Sequence, residues 1–148
     1  MATNDWGPWL DVPLDQLRPG TTLYSRFELR SDIVAAVREL VDGVPVPIPV
    51  AGEPVSPAVY SSFLPFYRAL GGRIEQGTVH THQSISVNSE PAKVGDVLDA
   101  DVTVVSAELN GDKRPVVVDI VFRSGSRWVC TTRSRYLWGY SAPRAAAR

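Results

Sequence analysis

His80 and His82 are the only histidines of the chain, and they stand two apart in the run Val79-His80-Thr81-His82-Gln83-Ser84. An imidazole is the side chain best suited to taking up and returning a proton near neutral pH, so this pair is the first candidate for acid-base chemistry. In a regular strand, residues two apart share a face. Ser84, Ser86 and Asn88 then continue that face, which makes it polar throughout and equally suited to solvent or an interface. Two imidazoles do not make a metal site, since zinc asks for at least three protein ligands and the single cysteine, Cys130, lies far along the chain. Asp42 is a candidate carboxylate at the end of an apolar-periodic run, although an acid is slightly unfavourable at a helix C-terminus and common at the start of a loop. Arg127, Arg133 and Arg135 form a row near the end of the chain that suits either phosphate or plain solvent. Between Ser56 and Arg73 no carboxylate occurs, and Glu75 is the nearest.

These residues need elements to hold them. Residues 21–29 alternate, with Leu23, Phe27 and Leu29 opposite Tyr24, Arg26 and Glu28, which predicts a half-buried strand. Ser31 offers an N-cap, and Ile33, Ala36, Val37, Leu40 and Val41 follow at helical spacing up to Gly43. Six prolines between Pro45 and Pro65 exclude uninterrupted helix or central strand there. Ser56-Pro57 starts a second apolar stripe through Val59, Phe63, Phe66, Tyr67 and Leu70, which closes at Gly71-Gly72. Pro65 within it implies a kink or a helix that begins near residue 65. From residue 78 the period turns to two, giving strands over 79–88, 97–109, 115–123 and 127–138, with turns at Asn110-Gly111 and Ser124-Gly125. In the last strand Trp128, Cys130, Tyr136 and Trp138 are expected on one side and the three arginines on the other. The pattern is α+β, with an antiparallel sheet covered by the segment 57–70.

The chain of 148 residues fits one domain spanning 1–148, with irregular tails over 1–12 and 141–148. Fifteen basic against sixteen acidic residues leave a formal charge of -1, which provides no surplus for phosphate backbones or an anionic membrane. One cysteine precludes an intrachain disulfide, and the N-terminus lacks the basic and apolar regions of a signal peptide, so the cytoplasm is the expected location.

Strand, helix and long antiparallel meander resemble the hotdog fold, a curved antiparallel sheet of about five strands wrapped around a central helix. Three stretches resemble the MaoC-like hydratase/dehydratase family, in its N-terminal dehydratase-like branch. Residues 13–20 (PLDQLRPG) look like its opening F-E-D-L-x-V-G segment. Residues 32–47 (DIVAAVRELVDGVPVP) are similar in spacing to D-I-x-x-F-A-x-x-x-G-D-x-N-P-x-H, and residues 78–96 (TVHTHQSISVNSEPAKVGD) resemble H-x-x-Q-x-x-x-x-x-x-P-x-x-x-G-D. The resemblance implies a hydro-lyase acting on acyl or enoyl thioesters of coenzyme A or a carrier protein, without metal or cofactor. His80, Asp42 and His82 are its expected catalytic residues, and Tyr60, Phe63, Tyr67, Arg133 and Arg135 its expected substrate contacts.

The departures matter as much. The family's loop Asp falls on Asp42, but its Asn falls on Val44 and its His on Pro47, so the acid-base dyad is broken. Proline has no ionisable group to replace it. Two versions follow: a hydratase that uses His80, or a pocket-forming subunit whose partner chain supplies the dyad. A thioesterase of this fold would carry a carboxylate on the central helix or close by; none lies between Ser56 and Arg73, which disfavours hydrolysis by a helix-borne acid and leaves only an acid supplied by a partner chain. A hotdog enzyme of polyketide-type metabolism catalysing cyclisation or isomerisation, and a small-molecule-binding module, are the rival readings. An unpaired sheet edge predicts a homodimer or a heteromer.

Overall fold

Alternating apolar residues give the chain one face to bury, and the sheet forms around it. A computed structural model describes residues 9–140. In chain order it contains β1 (Asp11–Val12), a 3₁₀ turn (Leu14–Gln16), β2 (Thr22–Glu28), α1 (Ser31–Asp42), a second 3₁₀ turn (Pro57–Ser61) and α2 (Leu64–Leu70). Then come β3 (Arg73–Ile74), β4 (Val79–Val87), β5 (Val97–Ala107), β6 (Pro115–Ser124) and β7 (Arg127–Leu137). Five strands make one antiparallel sheet in the order β2-β5-β6-β7-β4, so β2 and β4 are its edges. β1 and β3 form a small parallel pair beside it. Residues 11 and 12 are therefore structured where an irregular lead was expected; residues 1–8 and the expected tail over 141–148 lie outside the described residues.

The inner face carries Phe27, Leu98, Ala100, Val102, Val116, Val118 and Phe122, all buried. The segment 57–70 packs against it, as the apolar stripe predicts, but as two pieces. Ser56 caps the 3₁₀ turn by accepting a hydrogen bond from the Ala58 amide (3.3 Å), and α2 starts only at Leu64. Proline lacks the N–H that would bond back along a continuous helix, and at the first turn of α2 Pro65 loses nothing. Leu64, Pro65 and Phe66 are buried, and Gly71 ends α2 in the left-handed conformation (φ 67°). Ser31 is the first helical residue of α1 rather than its cap; Arg30 takes the cap position, and its guanidinium reaches both Asp32 oxygens (3.1 and 3.0 Å).

Three of the strands meet an irregularity. In β4 the register steps between His80 and His82, in β5 between Val104 and Ser106, and on β7 opposite Phe122 and Arg123. Each extra residue reverses the alternation beyond it. The bulge at Val129 turns Trp128 away from Cys130: Trp128 pairs with Arg123 and its Nε1 donates to Thr131 Oγ1 (2.8 Å) on the outer face. Trp128 thus departs from the side expected for it. Cys130 is buried on the inner face, and burial pushes its thiol up to about 12, which leaves it inert at neutral pH. No helix of the described residues is long and apolar enough to cross a membrane.

Candidate functional site

The bulge in β4 decides what the two histidines can do. His80 pairs with Tyr136, whose side chain is buried on the inner face, whereas His82 pairs with Arg135 on the outer face. Thr81 is the inserted residue, and its hydroxyl donates to the Arg135 carbonyl (3.2 Å). The histidines therefore do not share a face. Gln83, Ile85 and Val87 follow His80 inward, opposite Ser134, Thr132 and Cys130, while Ser84 and Ser86 follow His82 outward.

Inward, the His80 ring stacks on Tyr136 (centroids 4.7 Å apart, planes at 24°) and meets the edge of Phe63 (5.8 Å). Phe63 in turn lies over Tyr67 (6.1 Å), at the start of α2. These four rings, with Ile74, Glu75, Gly77 and Thr78, line a cavity of about 310 Å³. His80 stays solvent-accessible at the cavity mouth, and the partial burial of its ring pulls its pKa below the ordinary value against an opposing backbone hydrogen bond at His82, so the imidazole is neutral at pH 7. Burial pushes the Tyr136 hydroxyl up to about 12, which keeps it a hydrogen-bond donor rather than a phenolate. Tyr67 is raised for the same reason.

The floor of the cavity is pinned by the turn between β3 and β4. Thr78 Oγ1 donates to the Glu75 carbonyl (2.6 Å) and accepts from the Gly139 amide (2.8 Å). Arg114 donates to the Gly139 carbonyl (2.8 Å) and stands 3.7 Å from Glu75 Oε2. Gly139 is in the left-handed region (φ +57°), and a Cβ there would fall 2.7 Å from Glu75 Oε2 and 2.8 Å from Arg114 Nη2. Gly139→Ala is therefore expected to lower stability by about 1–3 kcal/mol and to displace the Glu75 carboxylate, seen as a lower urea midpoint in a denaturation curve.

Of the other residues singled out from the sequence, Phe63 and Tyr67 line this cavity. Tyr60 does not: it is buried in the core with its ring 5.1 Å from Phe122. Asp42 is exposed at the end of α1, and it is not part of the cavity wall. Arg133 makes a two-pronged bond to Asp119 on the outer face (2.7 and 2.7 Å), and Arg135 stands on that same face, away from the cavity. Glu75 and Tyr136 belong to the wall although neither was picked out for it. The signal for Glu75 was its position five residues before His80, across the Gln76-Gly77 turn.

A second, more apolar groove of about 470 Å³ runs between α1 and the 3₁₀ turn, lined by Ile33, Val37, Leu40, Ala58 and Leu64 among others. Among the described residues no three His, Cys, Asp or Glu side chains gather to hold a metal.

No protein-family model matches the sequence, and no curated protein matches it. Solved structures do match. A hot-dog-like protein from Thermanaerovibrio acidaminovorans superposes with a TM-score of 0.53 at 17% identity, over 83% of this chain and 84% of that one. The chain has the hotdog fold. It is likewise similar to the (R)-hydratase of A. caviae involved in PHA biosynthesis (TM-score 0.54, 18% identity, 82% of this chain and 97% of that one). The fluoroacetyl-CoA thioesterase FlK gives a TM-score of 0.57 at 15% identity, over 83% of this chain and 90% of that one. At such identities the likeness is one of backbone, and activity has to be argued from the cavity.

Proposed function

We propose that the protein acts in the cytoplasm on an acyl or enoyl thioester of coenzyme A or a carrier protein, bound with its reactive end in the His80 cavity. The observation that carries this reading is the neutral imidazole set in an aromatic wall, beside the buried N-terminal half of α2. Aromatic rings in the cavity wall suit a flat conjugated or aliphatic group, and an imidazole that is neutral at pH 7 suits proton transfer. In hydration, His80 takes a proton from water as the water oxygen bonds to the β-carbon. The double-bond electrons move toward the thioester carbonyl, and the resulting imidazolium returns its proton to the α-carbon. Dehydration is the reverse. Similarity to solved hotdog proteins that include a hydratase and a thioesterase supports the choice of a thioester.

A second reading has its own observation. Asp42 is exposed and the family's loop histidine is replaced by Pro47, so the usual dyad is lacking and the chain suits the pocket-forming half of a heteromer. The two readings separate in one experiment, in which the purified protein is given crotonyl and longer enoyl thioesters. Turnover by the protein alone supports the first; turnover only after addition of a chain with an intact Asp/Asn/His loop supports the second. No turnover in either case removes the hydratase reading.

Assembly follows from β4. It is an edge strand whose residues Val79 to His82 are all exposed, with Val79 at 39% and Val87 at 42%. Unpaired backbone groups and exposed valines at one edge invite another strand, and the cavity opens beside that edge. Light scattering at micromolar concentration is expected to give at least a dimeric mass; a monomer would remove this part of the proposal.

A further inference from the structure

The cavity holds a second ionisable group that the mechanism above leaves idle. Glu75 Oε2 is sealed from solvent against Gly139 and Arg114, yet it makes no hydrogen bond. Its nearest cation, Arg114 Nη1, is 3.7 Å away, which is an ion pair by charge but beyond hydrogen-bonding distance. Arg114 Nε is also buried without a partner. A buried carboxylate ordinarily fills its acceptor sites, because leaving them empty is costly. Arg114 thus fixes the position of this carboxylate without using up its lone pairs. About a quarter of the Glu75 side chain remains exposed (24%), and that part belongs to the wall of the same cavity as His80. With Oε2 closed off, Oε1 is the oxygen left to meet a ligand.

Held this way by Arg114, the carboxylate can accept through Oε1 a hydrogen bond from a group bound in the cavity. The substrate carbonyl cannot supply one. The groups that can are the hydroxyl on the β-carbon of a hydroxyacyl thioester and, in the reverse direction, the water that becomes that hydroxyl. We infer that Glu75 is a second catalytic residue of this cavity, accepting the hydrogen bond of the hydroxyl or attacking water while His80 carries the proton. This rests on the thioester reading. No bond changes at Glu75: the oxygen–hydrogen bond that breaks gives its proton to His80, and the other water hydrogen stays bonded toward Glu75. Arg114 is a positioning residue, which acts through the carboxylate.

The test is binding, which keeps it independent of turnover. The probes are two amides of a pantetheine arm, one 3-hydroxybutyryl and one butyryl, in which nitrogen replaces the thioester sulfur so that elimination is suppressed. Calorimetry on the unmodified protein is expected to show the hydroxylated probe binding about tenfold more tightly or better, the increment of a hydrogen bond to a charged group. In Glu75→Leu that preference should vanish while affinity for the butyryl probe is kept, and Glu75→Gln should reduce it while preserving size. Because the first comparison varies only the ligand, poor folding of a variant does not undo it. A carboxylate that served only the Arg114 ion pair would move both affinities together. Equal binding of the two probes, or a preference that survives in both variants, overturns the role of Glu75 and leaves the thioester reading standing. Failure of both probes to bind the unmodified protein overturns that reading, and this inference with it.

Discussion

His80→Ala is expected to lower kcat for hydration of an enoyl thioester by about 10²- to 10⁴-fold, the usual worth of a positioned general base. Thioester binding should change by only a few fold, because Phe63, Tyr67 and Tyr136 still form the aromatic wall. The pH dependence carries the same assignment. Burial lowers the His80 pKa below its ordinary value, so its basic form predominates at neutral pH. Activity should be flat near pH 7 and fall only when acid protonates the ring, with an apparent pKa below about 6.5. The control is the neighbouring histidine. His82 points to the outer face beside Arg135, so His82→Ala should leave kcat/KM and its pH profile within about twofold. Steady-state kinetics from pH 5 to 9 on both variants checks this, and equal losses in the two would break the link between the cavity and catalysis.

Trp138→Ala should produce the largest loss of stability. Trp138 is fully buried, its ring meets Phe66 at 6.1 Å and Tyr136 at 6.0 Å, and its Nε1 donates to the Val12 carbonyl at 2.8 Å. Removing a buried indole costs about 3–5 kcal/mol in lost contacts and residual cavity. The Val12 carbonyl also loses its partner, which adds about 1–3 kcal/mol if it stays buried. Against a typical margin of about 5–15 kcal/mol, a drop in Tm of more than about 10 °C is expected. Trp138→Phe separates the two contributions. The smaller ring retains much of the packing on Phe66 but removes the donor and part of the buried volume, so its loss should lie between the hydrogen-bond figure and that of Trp138→Ala. Calorimetric melting of the two variants measures both.

Much of the sheet was legible because alternation is a direct image of burial. Leu98, Ala100, Val102 and Val104 lie inside and Val116, Val118, Ile120 and Phe122 face them, as their spacing predicts. Pro65 also gave a correct warning, since a helix can begin around proline but cannot continue through it; α2 starts at Leu64. What alternation cannot register is an inserted residue. Nothing in Val79-His80-Thr81-His82 marks Thr81 as unpaired, because a bulge arises from the fit to the strand alongside. The same limit moved Trp128 to the outer face. Glu75 was hidden for another reason: its place in the cavity wall depends on Arg114 and Gly139, which come together with it only once β7 has returned beside β4.

Thr81 works like a spacer in a gear train. With downstream pairing unchanged, an uninterrupted β4 would turn Thr81 inward and send His80 outside, emptying the cavity of its only imidazole. A single insertion or deletion at a sheet margin can thus enlist or retire a reactive side chain while nearly every ladder bond is kept. Relatives on this scaffold could then gain or lose proton-transfer chemistry through one-residue length changes in this strand, with the buried framework untouched.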